Sequence, residues 1–283
     1  MKLSKEVVLG SVIGLSLVLS GCDQSEKEPV NTPENEKITA AQQTADVLPY
    51  LNIQEQPAKI ALPFCENKNC INLDIQTLHT VDPWMNQWIE KQQAKVIQDQ
   101  IGLKQDMNLQ QAINAYVKKS DAWQAQLNLN KAYELSLYTR IPYQRNQYVL
   151  MQIGVDTKQE NVSVHERYYF FVADRHQQKM LTPLDIIDPK QQLLMDQIIQ
   201  QAYETWLKEN DQQVQQKAPK KLYWGQADWF FDQEGIGLHF RSHEISKDAK
   251  QLDIYLTKQQ TQQVLKACLL YTSDAADEED SVD

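Results

Sequence analysis

Two residue pairs in this chain have the types and spacing for redox or metal chemistry. Cys65 and Cys70 enclose four residues, Glu66 to Asn69. In an oxidising compartment such a pair reads as a disulfide closing a short loop. Half of a zinc site is the other option, but a structural site needs two further ligands. Only His79 lies close and no second cysteine pair exists, so the disulfide is the expectation. His239 and His243 are four apart, the spacing that puts two imidazoles on one helix face. The stretch Gly237 to Arg241 reads as extended instead, which places His239, Arg241 and His243 on one strand face. Arg241 between them would repel a cation. They read as surface histidines, and no metal site is expected.

Other candidates for chemistry stop short of a reaction. His165-Glu166 beside Arg167 supplies a base and an orienter but no nucleophile. Asp228, Asp232 and Glu234 flank a turn and read as its solvated acids. The five glycines beyond residue 21 are Gly102, Gly154, Gly225, Gly235 and Gly237, and they do not cluster into a phosphate cradle. The body has no Gly-x-Ser-x-Gly elbow and no His-Glu-x-x-His zinc helix. No catalytic residue, cofactor or nucleotide is expected.

A further cysteine has a different chemistry. Lys2 and Lys5 precede an apolar run of thirteen residues, Val7 to Leu19, and Leu19-Ser20-Gly21-Cys22 follows. A bilayer span needs roughly 20 apolar residues, so this run suits a signal-peptide core. The small pair before Cys22 resembles a lipobox. It predicts cleavage before Cys22, lipidation of its thiol and anchoring to a membrane on the periplasmic side. Asp23 resembles the signal that retains lipoproteins in the inner membrane of enteric bacteria; the outer membrane is the alternative. Residues 22–46 are polar and Pro-containing, which predicts a tether. About 24 flexible residues reach of order 25–30 Å.

The element pattern positions the rest. Asp82-Pro83 is an N-cap followed by proline, and Met85, Trp88, Ile89, Val96 and Ile97 form one helical stripe. Gly102 ends that helix, and Leu109, Ile113, Tyr116 and Val117 mark a second. Ala58 to Leu62 and Cys70 to Leu78 look extended. From Ala132 the period becomes two, with a turn at Pro142 to Asn146, a second strand through Val149 to Val155 and a third at Val164 to Val172. These predict an antiparallel meander. Asp188-Pro189 starts another helix with Met195, Ile198, Ile199, Ala202 and Trp206 inside. Glu209 to Lys221 reads as a linker. Three more strands and a capping box at Thr257-Lys258-Gln259-Gln260 follow. Abundant glutamine reads as a solvated surface.

The order of elements in the second half resembles a known family. Tyr168 to Ile187 is a strand, a polar turn at Asp174 to Gln178 and Leu181-Thr182-Pro183-Leu184. A long helix follows, then Phe230 to Ile245 and Leu252 to Leu256. This resembles the extracellular domain pair of lysozyme-sensing anti-sigma factors, also found before the catalytic domain of some peptidoglycan deacetylases. The resemblance covers Tyr168 to Lys266 and, more faintly, Cys65 to Gln100. Where that family often has Pro-Tyr-Glu-Ile, this chain has Ser242-His243-Glu244-Ile245. The resemblance implies an α+β fold and a non-catalytic recognition role at the cell wall, with a lysozyme-like muramidase or peptidoglycan as ligand. The cytoplasmic sigma-binding segment and the spanning helix of those factors have no counterpart here.

Charge narrows the classes further. The chain carries −10. Without the signal's net +1 and six acids near the end, the body carries −5, which argues against nucleic-acid binding. Cys268 to Glu278 resembles a translated sequencing adapter rather than native protein. The expectation is therefore a signal at 1–21, a tether at 22–46, an N-terminal α+β subdomain at 47–130, a C-terminal one at 131–267 and a non-native tail at 268–283. Antiparallel sheets with packed amphipathic helices make the fold. The functional expectation is a lipid-anchored envelope recognition protein, and a wall hydrolase or deacetylase and a structural accessory lipoprotein are the alternatives.

Overall fold

A computed structural model describes residues 48–62, 70–127, 133–159, 162–245 and 251–270. Cys22, Asp23 and Cys65 lie outside the described residues, as do the side chains of His165, Glu166, His243 and Cys268. Cys70 is half-buried and stands just before the second strand.

The elements run β1 (Gln54–Pro57), β2 (Asn72–His79), α1 (Pro83–Asp99), α2 (Leu109–Leu127), β3 (Glu134–Arg145), β4 (Tyr148–Gln159), β5 (Val162–Asp174) and β6 (Lys179–Leu181). After them come α3 (Pro183–Ile186), a 3₁₀ turn, α4 (Gln192–Glu209), α5 (Gln212–Lys217), a second 3₁₀ turn, β7 (Asp228–Phe231), β8 (Ile236–Phe240), α6 (Ser242–Ile245), β9 (Leu252–Tyr255), α7 (Lys258–Val264) and α8 (Ala267–Leu270). The first six strands form one sheet in sequence order, and β7, β8 and β9 form a second. The fold is α+β, as expected.

One pairing departs from the antiparallel pattern. β2 and β3 are parallel, with Leu73 opposite Leu135 and Ile75 opposite Leu137. Parallel neighbours need a long crossover, and α1 with α2 supplies it. The two expected subdomains thus share one sheet, and the described residues belong to one unit starting at Ala45.

The sheet is buried on both faces because its strands alternate. Val149, Met151, Ile153 and Val155 face α1 and α2, packing with Met85, Ile89, Ile97 and Ile113. Leu150 and Val172 face the other way, into a core with Met195 and Ile199 of α4 and Trp229, Leu238 and Ile254 of the small sheet. Trp229 Nε1 donates to the Leu181 carbonyl at 2.7 Å, which ties the two sheets together.

Local chemistry explains the boundaries. The Asp82 carboxylate accepts from the Trp84 and Met85 amides at 3.0 and 3.2 Å, and Pro83 needs no partner at the first helical position. Gly102 has φ +65° after α1, the left-handed conformation glycine adopts without strain. Thr257 and Gln260 form the predicted capping box of α7.

Several expectations need correction. β3 runs to Arg145, and the register shifts between Arg140 and Tyr143, so Pro142 sits where no ladder donor is required. The turn shrinks to Asn146, with φ +50°, and Gln147. The first strand lies at Gln54–Pro57, ahead of Ala58. The stretch read as a linker contains α5, because Asp211 caps it at 2.9 Å and Val214 anchors it in the core. Glutamine is not only surface: Gln92, Gln93, Gln98 and Gln152 are buried. Gln93 donates to Thr139 Oγ1 at 2.8 Å and to the Gln76 carbonyl at 3.1 Å, and accepts from Thr77 at 3.0 Å. Its amide fills three hydrogen-bond positions between α1, β2 and β3.

Candidate functional site

The site grows from an unfinished sheet edge. Among the described residues, β6 pairs with Val172, Ala173 and Asp174 of β5, and no strand is paired to the outer edge of the earlier part of β5. An unpaired edge leaves amides in need of acceptors. The Asp228 carboxylate, from β7, accepts one of them, the Phe170 amide, at 3.1 Å.

Asp228 is held by Arg241. Nη1 of Arg241 lies 2.6 Å from Asp228 Oδ2, and Nη2 lies 2.5 Å from Glu244 Oε1. The guanidinium sits 4.4 Å from the centre of the Tyr169 ring, a cation–π contact. Tyr169 donates to Asp99 at the end of α1, at 2.5 Å, and accepts from Gln100 at 2.9 Å. A continuous polar chain thus runs from the small sheet across β5 to α1. Burial pushes the Asp228 carboxyl up, against the pull of Arg241. Burial also opposes the charge of Arg241, but Asp228 and Glu244 outweigh it and hold the guanidinium above its ordinary value. Burial and the bond to Asp99 raise the Tyr169 phenol.

Beside this chain lies an open cleft of about 550 Å³. Lys91, Lys95, Val96 and Asp99 of α1 form one wall, and Leu103, Lys104 and Asp106 of the following loop form the rim. Tyr169, Phe171, Asp228 and Arg241 close the other side. A second depression of about 350 Å³ adjoins it and shares Lys91 and Asp106, with Glu90, Asn108 and Gln111 beyond. Lys91 and Asp106 are 3.8 Å apart. Lys95 donates to Gln92 at 3.2 Å. Burial, and then the neighbouring Lys91 ammonium, lower the Lys95 pKa.

The residues singled out in the sequence fare differently. His239 is not a surface residue. It is 1% exposed, and its Nδ1 lies 2.6 Å from Asp253 Oδ1. Its Nε2 has no partner among the described residues, and the Phe170 ring packs edge-on at 5.1 Å. β8 ends at Phe240 and α6 begins at Ser242, so strand alternation does not extend from His239 to His243. Asp228 is likewise no solvated turn acid; the cross-strand geometry of the hairpin buries it against Arg241. Among the described residues no group of three or more His, Cys, Asp or Glu side chains could hold a metal ion. None of their helices is long and apolar enough to cross a membrane.

Sequence reasoning passed over Lys91, Lys95, Lys104, Asp99 and Tyr169. One signal was present. Lys91 and Lys95 stand four apart on a helix whose apolar stripe points the other way, so two like charges share one exposed face.

Comparison with known proteins places the fold. No family model matches the sequence, and no curated protein matches it. Solved structures of similar fold include the following two. A DUF3298 family protein from Pseudomonas aeruginosa superposes with a TM-score of 0.55 at 16% identity, over 78% of this chain and 97% of that one. A member of the same family from Bacteroides fragilis gives 0.54 at 12% identity, over 79% and 97%. The chain shares their fold.

Proposed function

We propose that this chain is a lipid-anchored, non-catalytic recognition protein of the cell envelope that binds peptidoglycan in the cleft beside Arg241. The cleft itself carries the reading. Its volume falls within the range of small-ligand sites, and its side combines the Tyr169 and Phe171 rings with lysines and amides. Two of the acids within it are engaged. Asp99 accepts from Tyr169, and Asp228 accepts from Arg241 and the Phe170 amide. Such a surface is built to hold a ligand rather than to move a proton. The lipobox at Cys22 and the tether support placement at a membrane, within reach of the wall. The test is retention of the full-length chain, in detergent, on insoluble peptidoglycan. Recovery in the pellet above a matched control protein is expected, and recovery equal to the control overturns the reading.

A second reading rests on charge. A body at −5 complements a basic muramidase, as opposite charges steer association. Retention on immobilised muramidase, with none on peptidoglycan, would favour it. Release of soluble fragments or acetate from peptidoglycan would point instead to a hydrolase or deacetylase.

A further inference from the structure

The two depressions are parts of one groove. They meet at Lys91 and Asp106, which line both. An occupant longer than either depression can therefore lie across the junction. The pair at the junction is exchangeable. The Asp106 side chain is 95% exposed and 3.8 Å from Lys91, and an ion pair of that kind contributes little.

The four cations lining the two depressions, Lys91, Lys95, Lys104 and Arg241, are matched by four acids, Glu90, Asp99, Asp106 and Asp228, so any preference for an anion comes from the local placement of the lysines. Lys91, Lys95 and Lys104 gather on its α1 side within a chain at −10. Lys91 and Lys95 are neighbours on one helix face, where like charges repel. The fork of Arg241 is committed to Asp228 and Glu244. The cationic groups left facing the groove are ammonium groups on flexible stems, suited to a point-like anion. Leu103 and Phe171, both half-buried, provide apolar surface next to them.

We infer that the groove takes an acidic glycan strand laid across both depressions, with Lys91 and Lys95 meeting one of its carboxylates and displacing Asp106 from Lys91. This deepens the peptidoglycan reading above and rests on it. The carboxylate answers the lysine pair, and the apolar faces of the sugar rings lie along Leu103 and Phe171. The site thereby discriminates acidic from neutral amino-sugar chains.

The test uses the full-length chain in detergent and isothermal titration with three tetrasaccharides. One is a wall-derived chain with free carboxylates, one is the same chain with its carboxylates amidated, and one is chitotetraose. The acidic chain should bind about ten-fold more tightly than either neutral chain, and the difference should shrink as salt is raised. Lys91→Gln with Lys95→Gln should abolish the difference while the melting temperature stays that of the wild type. Lys104→Gln, on the loop, serves as an independent variant and should reduce it. Equal affinity for all three chains, or an unchanged preference in the lysine variants, overturns the inference. Retention on intact peptidoglycan without that preference leaves the wall reading standing and removes the lysine site. Preference for the acidic chain without retention on intact peptidoglycan upholds the groove and removes the wall reading. Absence of binding to any chain overturns the groove.

Discussion

Asp228 and Arg241, thirteen residues apart in sequence, meet at 2.6 Å across the β7–β8 hairpin. The same Asp228 carboxylate accepts the Phe170 amide on the open edge of the six-stranded sheet. One side chain therefore satisfies an edge amide, joins two sheets and sets the position of the guanidinium over Tyr169. Removing one partner of a mostly buried pair leaves the other uncompensated. Arg241→Ala should destabilise the fold by roughly 2–4 kcal/mol. Asp228→Asn with Arg241→Met should cost less than the sum of the two single changes. Urea unfolding of the four proteins in a double-mutant cycle measures the coupling.

Gln93 joins α1 to β2 and β3 through three hydrogen bonds. Gln93→Leu keeps the approximate volume but strands Thr139 Oγ1, Thr77 Oγ1 and the Gln76 carbonyl. A loss of about 1–3 kcal/mol is expected, read as a shift of the urea midpoint. An unchanged midpoint would show that water replaces the amide.

Gly237 and Gly154 both lie under aromatic rings, but their neighbours differ in freedom. A Cβ at Gly237 would stand 2.2 Å from Phe230 Cζ, and one at Gly154 2.0 Å from Tyr138 Cζ. Phe230 is buried in the core, whereas Tyr138 is only half-buried, and a half-buried ring yields at lower cost. Gly237→Ala should therefore cost more than Gly154→Ala, with a loss on the order of 1–3 kcal/mol for the former. Thermal melts of the two variants rank them. Phe230→Leu should recover part of the Gly237→Ala loss.

Asp185 predicts one acid limb of the stability curve. Burial alone would raise its pKa, but Lys179 at 2.5 Å and the Thr182 hydroxyl and amide bring the net value below the unfolded 3.8. A folded pKa below the unfolded one stabilises the fold above the unfolded value. That contribution is lost as pH falls through the folded pKa. Wild-type stability should drop below about pH 4 more steeply than that of Asp185→Asn, as urea titrations across that window would record. Parallel curves for the two proteins would remove the assignment.

The cysteines yield a chemical prediction. Cys22→Ser should move the chain from the membrane to the soluble fraction in cells. Cys65→Ser or Cys70→Ser should lower the melting temperature of the oxidised protein only, with a loss near the low end of about 2–4 kcal/mol, because the closed loop is short. Free thiol at both positions in oxidised protein would contradict the pairing.

Much of the architecture was legible because its signals are local. Asp82-Pro83 and Thr257 to Gln260 place helix starts through contacts within four residues. The alternation of Val149, Met151, Ile153 and Val155 marks a strand and the face it buries. The readings that failed were those that needed a partner far along the chain. His239 looked like a surface residue because nothing nearby names Asp253 or the Phe170 ring. Asp228 looked solvated because Arg241 is visible as its partner only once the hairpin register is known. Gln93 looked polar and exposed because its partners Gln76 and Thr139 lie on two other strands. Pro142 looked like a turn because a bulge is a property of the pairing, not of one strand.

The sequence by itself determined the lipobox pattern, the helix caps and the strand periods. All of these follow from residues within a turn or two of one another. Tertiary structure decided the parallel pairing of β2 with β3, the capping of the β5 edge by Asp228, and the groove between α1 and β5. Each depends on long-range contacts such as Asp99 with Tyr169, 70 residues apart. Such contacts form when two buried faces of one sheet are covered at once, and no local pattern encodes which distant side chains that packing brings together.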